Sequence, residues 1–198
     1  MLRKISVLSI GLIFITSFLH AQVSVNYGVK GGVNIFSFLG DDAPSASGLT
    51  APYAGGLAQI SFGGDEGIIS YVFQPELFYS MQGAKSSGGK TTLSYLQFPL
   101  MVQRYIASTG LYIETGPQFG LLLSAKSKAN GTTTDIKDQS KKFDFSLNFG
   151  LGYKFNSGIG INARYGFGVT SVSSNSDVHN AGISAGIFYV FGQNRDDY

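Results

Sequence analysis

The 198-residue chain has no cysteine, which excludes disulfide frameworks, thiolate metal sites and cysteine nucleophiles. Histidine is nearly absent. Once the leader carrying His20 is set aside, His179 is the only imidazole, too few for an imidazole metal site, and no cofactor is expected. Charge is sparse too: 13% of the residues are Asp, Glu, Lys or Arg, where a soluble surface normally carries about 25–35%. Many of these charges fall between the strands read below, in Asp41, Asp42, Lys85, Lys90, Lys126, Lys128, Lys137, Lys141 and Lys142, so the strand faces are poorer still.

The apolar run from Ile5 to Leu19 is also too short for a spanning helix, which needs about 20 residues. It follows Arg3 and Lys4 and precedes the small residue Ala21, so residues 1–21 read as a secretory signal peptide and 22–198 as one mature domain. Removal of Arg3 and Lys4 lowers the 14 basic residues to 12, equal to the 12 acidic ones. The whole-chain isoelectric point near 8.7 therefore does not point to nucleic acid.

What the chain does have is alternation. Val23, Val25, Tyr27, Val29, Val33 and Ile35 are interleaved with Ser24, Asn26, Gly28, Lys30, Gly32 and Asn34. Leu111, Ile113, Phe119, Leu121 and Leu123 likewise oppose Tyr112, Glu114, Gly116, Gln118 and Gly120. This period of two marks strands. The apolar face is bulkier than the interior of a barrel of about eight strands accommodates, so it must look outward, toward lipid.

Strands are expected at 23–37, 53–62, 68–82, 93–105, 110–125, 143–155, 159–172 and 180–191. The fold is an all-β, eight-stranded antiparallel up-and-down transmembrane barrel. Tight connections at 63–67, 106–109 and 156–158 alternate with long polar ones at 38–52, 83–92, 126–142 and 173–179. That pattern places both termini in the periplasm of a Gram-negative bacterium. The second strand is irregular, because Leu57 has the opposite parity to Ala54, Ala58, Ile60 and Phe62, and a bulge or register shift is expected there. Bulges are also expected at Pro75, Pro99 and Pro117, each of which removes a ladder donor. Tyr27, Tyr71, Tyr79, Tyr105, Phe143, Tyr153, Tyr165, Tyr189 and Phe191 are read as outward girdle residues, and Arg104 as outward and snorkelling at the periplasmic end.

Two motifs lack the context their chemistry needs. Ala84 to Thr91 reads AKSSGGKT, a permissive phosphate-loop match, but it leads into a strand with Pro99 where that motif requires a helix N-terminus. Asn130-Gly131-Thr132 is a glycosylation sequon of a kind that arises by chance in polar loops. His179 lies near Ser173, Ser174, Ser176 and Asp177, yet a loop tip has nothing to fix a hydrolase triad, and a solvated loop histidine is the reading adopted.

The informative polar set is Lys30, Glu76, Glu114, Asp144, Lys154 and Arg164, all of inward parity. In a narrow lumen such charges must be paired or hydrated. Glu76 and Glu114 are expected to be neutralised by Lys30 and Arg164, forming a polar plug; a narrow pore for small solutes or ions is the alternative.

QPELFYSMQGAK (Gln74–Lys85), YLQFPLMVQRY (Tyr95–Tyr105), GLYIETGPQFGLLLSAK (Gly110–Lys126) and DFSLNFGLGYKF (Asp144–Phe155) together resemble the PorT-like outer-membrane β-barrel family of Bacteroidota, related to small OmpA-type barrels. The chain departs from that family in having Gln97 where an acid is common and in running past Phe191 with GQNRDDY. The resemblance implies an eight-stranded barrel and, from the founding type, a link to protein secretion. The function expected is non-enzymatic: a monomeric barrel in outer-membrane lipid, displaying loops and contacting envelope or secretion proteins. An enzyme acting on lipid lacks a catalytic set.

Overall fold

A computed structural model of the chain describes residues 23–39, 47–62, 71–86, 88–106, 109–129, 131–171 and 178–192. The signal peptide, the 63–67 connection, residues 173–177 and the tail after Gly192 lie outside the described residues. The strands are β1 (Val23–Leu39), β2 (Ser47–Phe62), β3 (Tyr71–Ser86), β4 (Gly89–Tyr105), β5 (Leu111–Ala129), a short β6 (Thr132–Asp135), β7 (Phe143–Lys154), β8 (Ile159–Ser171) and β9 (His179–Val190). Every neighbour pairing is antiparallel. β1 to β5 pair in chain order, β5 then pairs with β7, β7 with β8 and β8 with β9, and β9 returns to β1. The result is a closed eight-stranded barrel with no free edge, to which β6 adds a short flap on β5.

Side chains alternate as the sequence requires. Val29, Val33, Ile35, Leu77, Phe98, Ile113, Phe149, Leu151, Ile161, Ile183 and Ile187 are exposed on the outer face, forming an apolar belt that only lipid can cover. Tyr27, Tyr71, Tyr153, Tyr189 and Phe191 are exposed near the end where β1 begins and β9 finishes, with Tyr79 and Phe143 toward the other. Arg104 is outward and exposed. Two of the expected girdle residues differ. Tyr105, next to outward Arg104, must take the opposite face and is buried in the lumen, while Tyr165 is outward but sits midway along β8.

Register corrects the expected bulges. β2 pairs with β1 without interruption, and the shift against β3 lies between Gly48 and Tyr53, well away from Leu57. Leu57 keeps its parity and points inward. The prolines also keep register: paired positions skip Pro75 between β2 and β3, skip Pro99 between β3 and β4, and skip Pro117 between β4 and β5, without displacing the strands. Each missing N–H removes a ladder bond on one side only, so a gap suffices and no bulge is needed. The register shift in this region falls where Ser94 pairs with Ser124 and Tyr95 with Leu122, leaving Leu123 of β5 as the extra residue.

Three stretches read as long loops contain strand at their ends. β1 and β2 reach Leu39 and Ser47, β3 and β4 form a hairpin with Ser86 opposite Gly89, and β5 runs to Ala129 before β6 folds back on it. At the other end the β7–β8 turn is tight: Phe155 N–H donates to Ile159 O at 2.8 Å, and Gly158 adopts a φ of 82°, a conformation that favours glycine.

The lumen holds more bulk than expected. Phe36, Tyr53, Phe78, Tyr112 and Phe188 point inward and lie opposite Gly182, Gly32, Gly55, Gly152 and Gly160 respectively. A Cβ at Gly160 would lie 2.1 Å from the Phe188 ring, and one at Gly152 would lie 2.3 Å from Tyr112. Each ring occupies the space its glycine vacates, covering bare backbone and filling the barrel together.

Candidate functional site

The lumen is layered. At the end where β1 begins, Leu57, Val72, Tyr105, Tyr112, Phe188 and Val190 form an apolar cluster; at the loop end, Leu93, Tyr95, Leu122, Ala125 and Val178 form another, with Ile136 packed on it. Between them lies a polar layer built around Arg164.

Arg164 on β8 and Glu114 on β5 stand two strands apart, separated by Gly150 on β7. A Cβ at Gly150 would come within 2.9 Å of Arg164 Cγ and 3.0 Å of Glu114 Oε1, so the missing side chain lets the two meet across β7. Arg164 Nε donates to Glu114 Oε1 at 2.6 Å, and Nη2 donates to Oε2 at 3.0 Å. The same guanidinium holds Glu76 from β3 through Nη1 to Oε2 at 2.5 Å and Nη2 to Oε1 at 2.7 Å. One planar fork thus clamps two carboxylates bidentately, a task for arginine and not for lysine. Lys30 on β1 completes the charge balance, with Nζ 3.5 Å from Glu76 Oε1 and 5.7 Å from the centre of the Phe78 ring. Two cations and two anions, all buried, sum to zero.

Neutral amides extend this layer. Gln103 Nε2 donates to Glu114 Oε2 at 3.0 Å and to Gln74 Oε1 at 3.1 Å, Gln74 donates to Glu76, and Asn162 Nδ2 donates to Glu114 Oε1 at 3.1 Å. Gln59 Nε2 donates to Gln74 Oε1 at 2.7 Å, and Gln59 Oε1 accepts from Lys154 Nζ at 3.1 Å. Sequence reasoning did not single out Gln59, Gln74, Gln103 or Asn162 for this layer. Their signal was available in shared inward parity with the charges, but parity does not give the height that brings Asn162 to Glu114 or Gln59 to Lys154 across the lumen.

Two of the six inward charges stand apart from the Arg164 clamp. Lys154 sits toward the end where β1 begins, its Nζ 5.3 Å from the centre of the Tyr105 ring. Asp144 sits near the loop end and accepts from Ser146 Oγ at 3.1 Å and Thr170 Oγ1 at 3.5 Å. Next to the clamp a void of about 20 Å³, lined in part by Gln97, Asn34, Phe36 and Arg164, has room for about one water.

Neither the phosphate-loop match nor His179 is built for the chemistry its residues evoke. Ala84 and Thr91 are cross-strand partners in the β3–β4 hairpin, so the phosphate-loop match meets no helix. His179 is not at a solvated loop tip: it opens β9, half-buried, opposite Ser171 and Leu39, with its ring stacked on Phe167 at 6.4 Å between centroids and 9° between planes. β9 starts at His179, which takes it out of the loop and into the ladder.

A closed barrel with an apolar exterior and a packed polar lumen now has its counterpart among known proteins. The family model for the outer membrane protein beta-barrel domain matches residues 20–174. The chain belongs to that family. Among solved structures, this outer-membrane barrel is similar to Ail, the attachment invasion locus protein of Yersinia pestis, at 14% identity and a TM-score of 0.52, covering 84% of this chain and 98% of Ail. It also matches Neisserial surface protein A at 10% identity and a TM-score of 0.48, covering 84% and 97%. Identities this low speak to the fold alone. No curated protein sequence is similar to this one.

Proposed function

We propose that this outer-membrane barrel serves a structural and interaction role without catalysis: it is a plugged, rigid stave that presents its loop-end hairpins to partners in the cell envelope. The observation that carries this reading is the lumen. A neutral clamp of Glu76, Glu114, Arg164 and Lys30 lies between two apolar clusters, so the chemistry offered to partners is concentrated where β3–β4 and β5–β6 project beyond the belt. Short turns at one end and extended hairpins at the other favour periplasmic termini, with the hairpins outside the cell. The finer resemblance to PorT-like barrels suggests that the partner belongs to protein secretion.

Conductance and crosslinking test this together. Folded protein in planar bilayers should carry no steady single-channel current, and a photo-crosslinker at exposed Thr133 on β6 should capture a specific envelope protein in intact cells. Steady current from well-folded protein would instead support the narrow pore, with the charged column as its path. Deleting the β5–β6 flap without any change in envelope phenotype would count against the interaction role.

A further inference from the structure

Above the apolar belt, the barrel wall carries lysines in a row. Lys85 on β3 lies directly opposite Lys90 on β4, and Lys90 directly opposite Lys128 on β5. Lys126, two residues nearer the belt on β5, has the same facing. The face is fixed by neighbours: Leu93 and Ala125 are cross-strand partners buried in the loop-end lumen cluster, so Lys90, Lys126 and Lys128, at odd offsets from them, look outward. Ala84 is buried next to Lys85, which places Lys85 outward as well. All four lysines are exposed, on the same side of the wall as the lipid-facing belt.

Like charges directly opposite one another on adjacent strands destabilise a sheet. Three lysines in one cross-strand row are therefore a cost that folding alone does not explain. Asp135 on β6 opposes Lys126, but the Lys85–Lys90–Lys128 row has no acid among its cross-strand partners, and Lys128 faces Thr133 on β6.

The height of the row identifies what offsets that cost. On β3 the outward column from Tyr71 to Met81 rises about 25 Å along the barrel axis, at about 3.3 Å per residue and a tilt of about 40°, which matches the apolar belt of an outer-membrane barrel. Lys85 lies four residues further, about 10 Å beyond the belt at the same rise and tilt. The headgroup zone on each side is about 5–8 Å deep, and a lysine stem lying back along the wall reaches it. We propose that Lys85, Lys90, Lys126 and Lys128 bind the phosphomonoester groups of anionic lipid in the leaflet at the loop end. The occupant is lipid because all four lysines continue the lipid-facing side of the wall, Lys85, Lys90 and Lys128 one ladder pair below the hairpin ends and Lys126 two residues nearer the belt. The inference rests on the barrel spanning a membrane, and adds to it which lipid chemistry borders the hairpins.

The test uses the mature protein folded into phosphatidylcholine vesicles, with and without a small fraction of lipid A carrying phosphomonoesters, and counts retained lipid by native mass spectrometry. Wild type should retain lipid A selectively. The K85Q/K90Q/K128Q variant should lose retention at low salt by roughly five-fold per lysine, roughly a hundredfold in all, while K85R/K90R/K128R keeps it. Equal retention by wild type and the glutamine variant, or equal retention of dephosphorylated lipid A, would overturn the row alone. If wild type does not insert into the vesicles, the membrane reading falls and the row falls with it.

Discussion

Removing Arg164 is the sharpest perturbation of the lumen. The guanidinium makes four hydrogen bonds to two carboxylates, and both Glu76 and Glu114 are buried to within a few per cent of full coverage. In Arg164→Met the cluster passes from neutral to one net negative charge, with Lys30, 3.5 Å from Glu76, as its only close cation among the described contacts. Truncating one partner of a buried ion pair costs about 3–5 kcal/mol, because the remaining charge is left desolvated. With a urea dependence of about 2 kcal/mol per molar, the unfolding midpoint should fall by about 1.5–2.5 M.

The double variant Arg164→Met/Glu114→Gln is the internal control. It leaves the Lys30–Glu76 pair and a neutral layer, so its cost should be well below the sum of the two single changes, with a coupling of about 1–3 kcal/mol. Urea titration of the barrel in detergent micelles, followed by tyrosine fluorescence and heat-resistant migration on gels, measures both. A loss below about 1 kcal/mol for Arg164→Met, with no coupling to Glu114, would mean that water screens these charges. The packed-plug reasoning would then fail, and the same variant should be examined for ion current.

Other expectations follow from the same geometry. Gly160→Ala places a Cβ against the Phe188 ring and should cost about 1–3 kcal/mol by overpacking, with Phe188→Leu in the same chain restoring most of the loss in a urea titration. Phe149→Arg, halfway along the outward column of β7, should destabilise folding into liposomes by about 2–4 kcal/mol, whereas Arg at exposed Thr133 on the flap should change it by less than about 0.5 kcal/mol. Arg164→Lys should lose nearly as much stability as Arg164→Met, since an ammonium cannot fork to both carboxylates, and recovery by lysine would argue against the bidentate clamp.

Alternation made the strands and their outward face legible, because a period of two survives wherever one side meets lipid and the other does not. It failed where that contrast ends. Above the belt the outer face of β3, β4 and β5 turns polar, so Lys85, Lys90, Thr92, Lys126 and Lys128 carry no apolar stripe and read as loop, although they pair in register. The tendency of aromatics to collect at strand ends favours an outward Tyr105, yet its neighbour Arg104 holds the outward position and settles the parity the other way. At the prolines, the sequence shows that a donor is missing but not toward which neighbour, and only the pairing reveals that each gap is absorbed on one side.

The charged layer shows how much a linear reading holds of a closed wall. Inward parity picked out Lys30, Glu76, Glu114 and Arg164 as a set that must neutralise itself, since a narrow lumen has too little water to solvate separate ions. Parity does not give height, so the same reasoning kept Asp144 and Lys154 with the set, whereas strand register puts them toward opposite ends. Nor does it give reach: Glu114 and Arg164 meet only because β7 offers Gly150 between them. Replacing that glycine by valine leaves every charge in place and blocks their crossing. Gly150→Val should therefore weaken the barrel about as much as truncating Arg164, about 3–5 kcal/mol by the same urea titration. A valine variant as stable as wild type would show that the ion pairs have another route across the lumen, and that register alone does not bring them together.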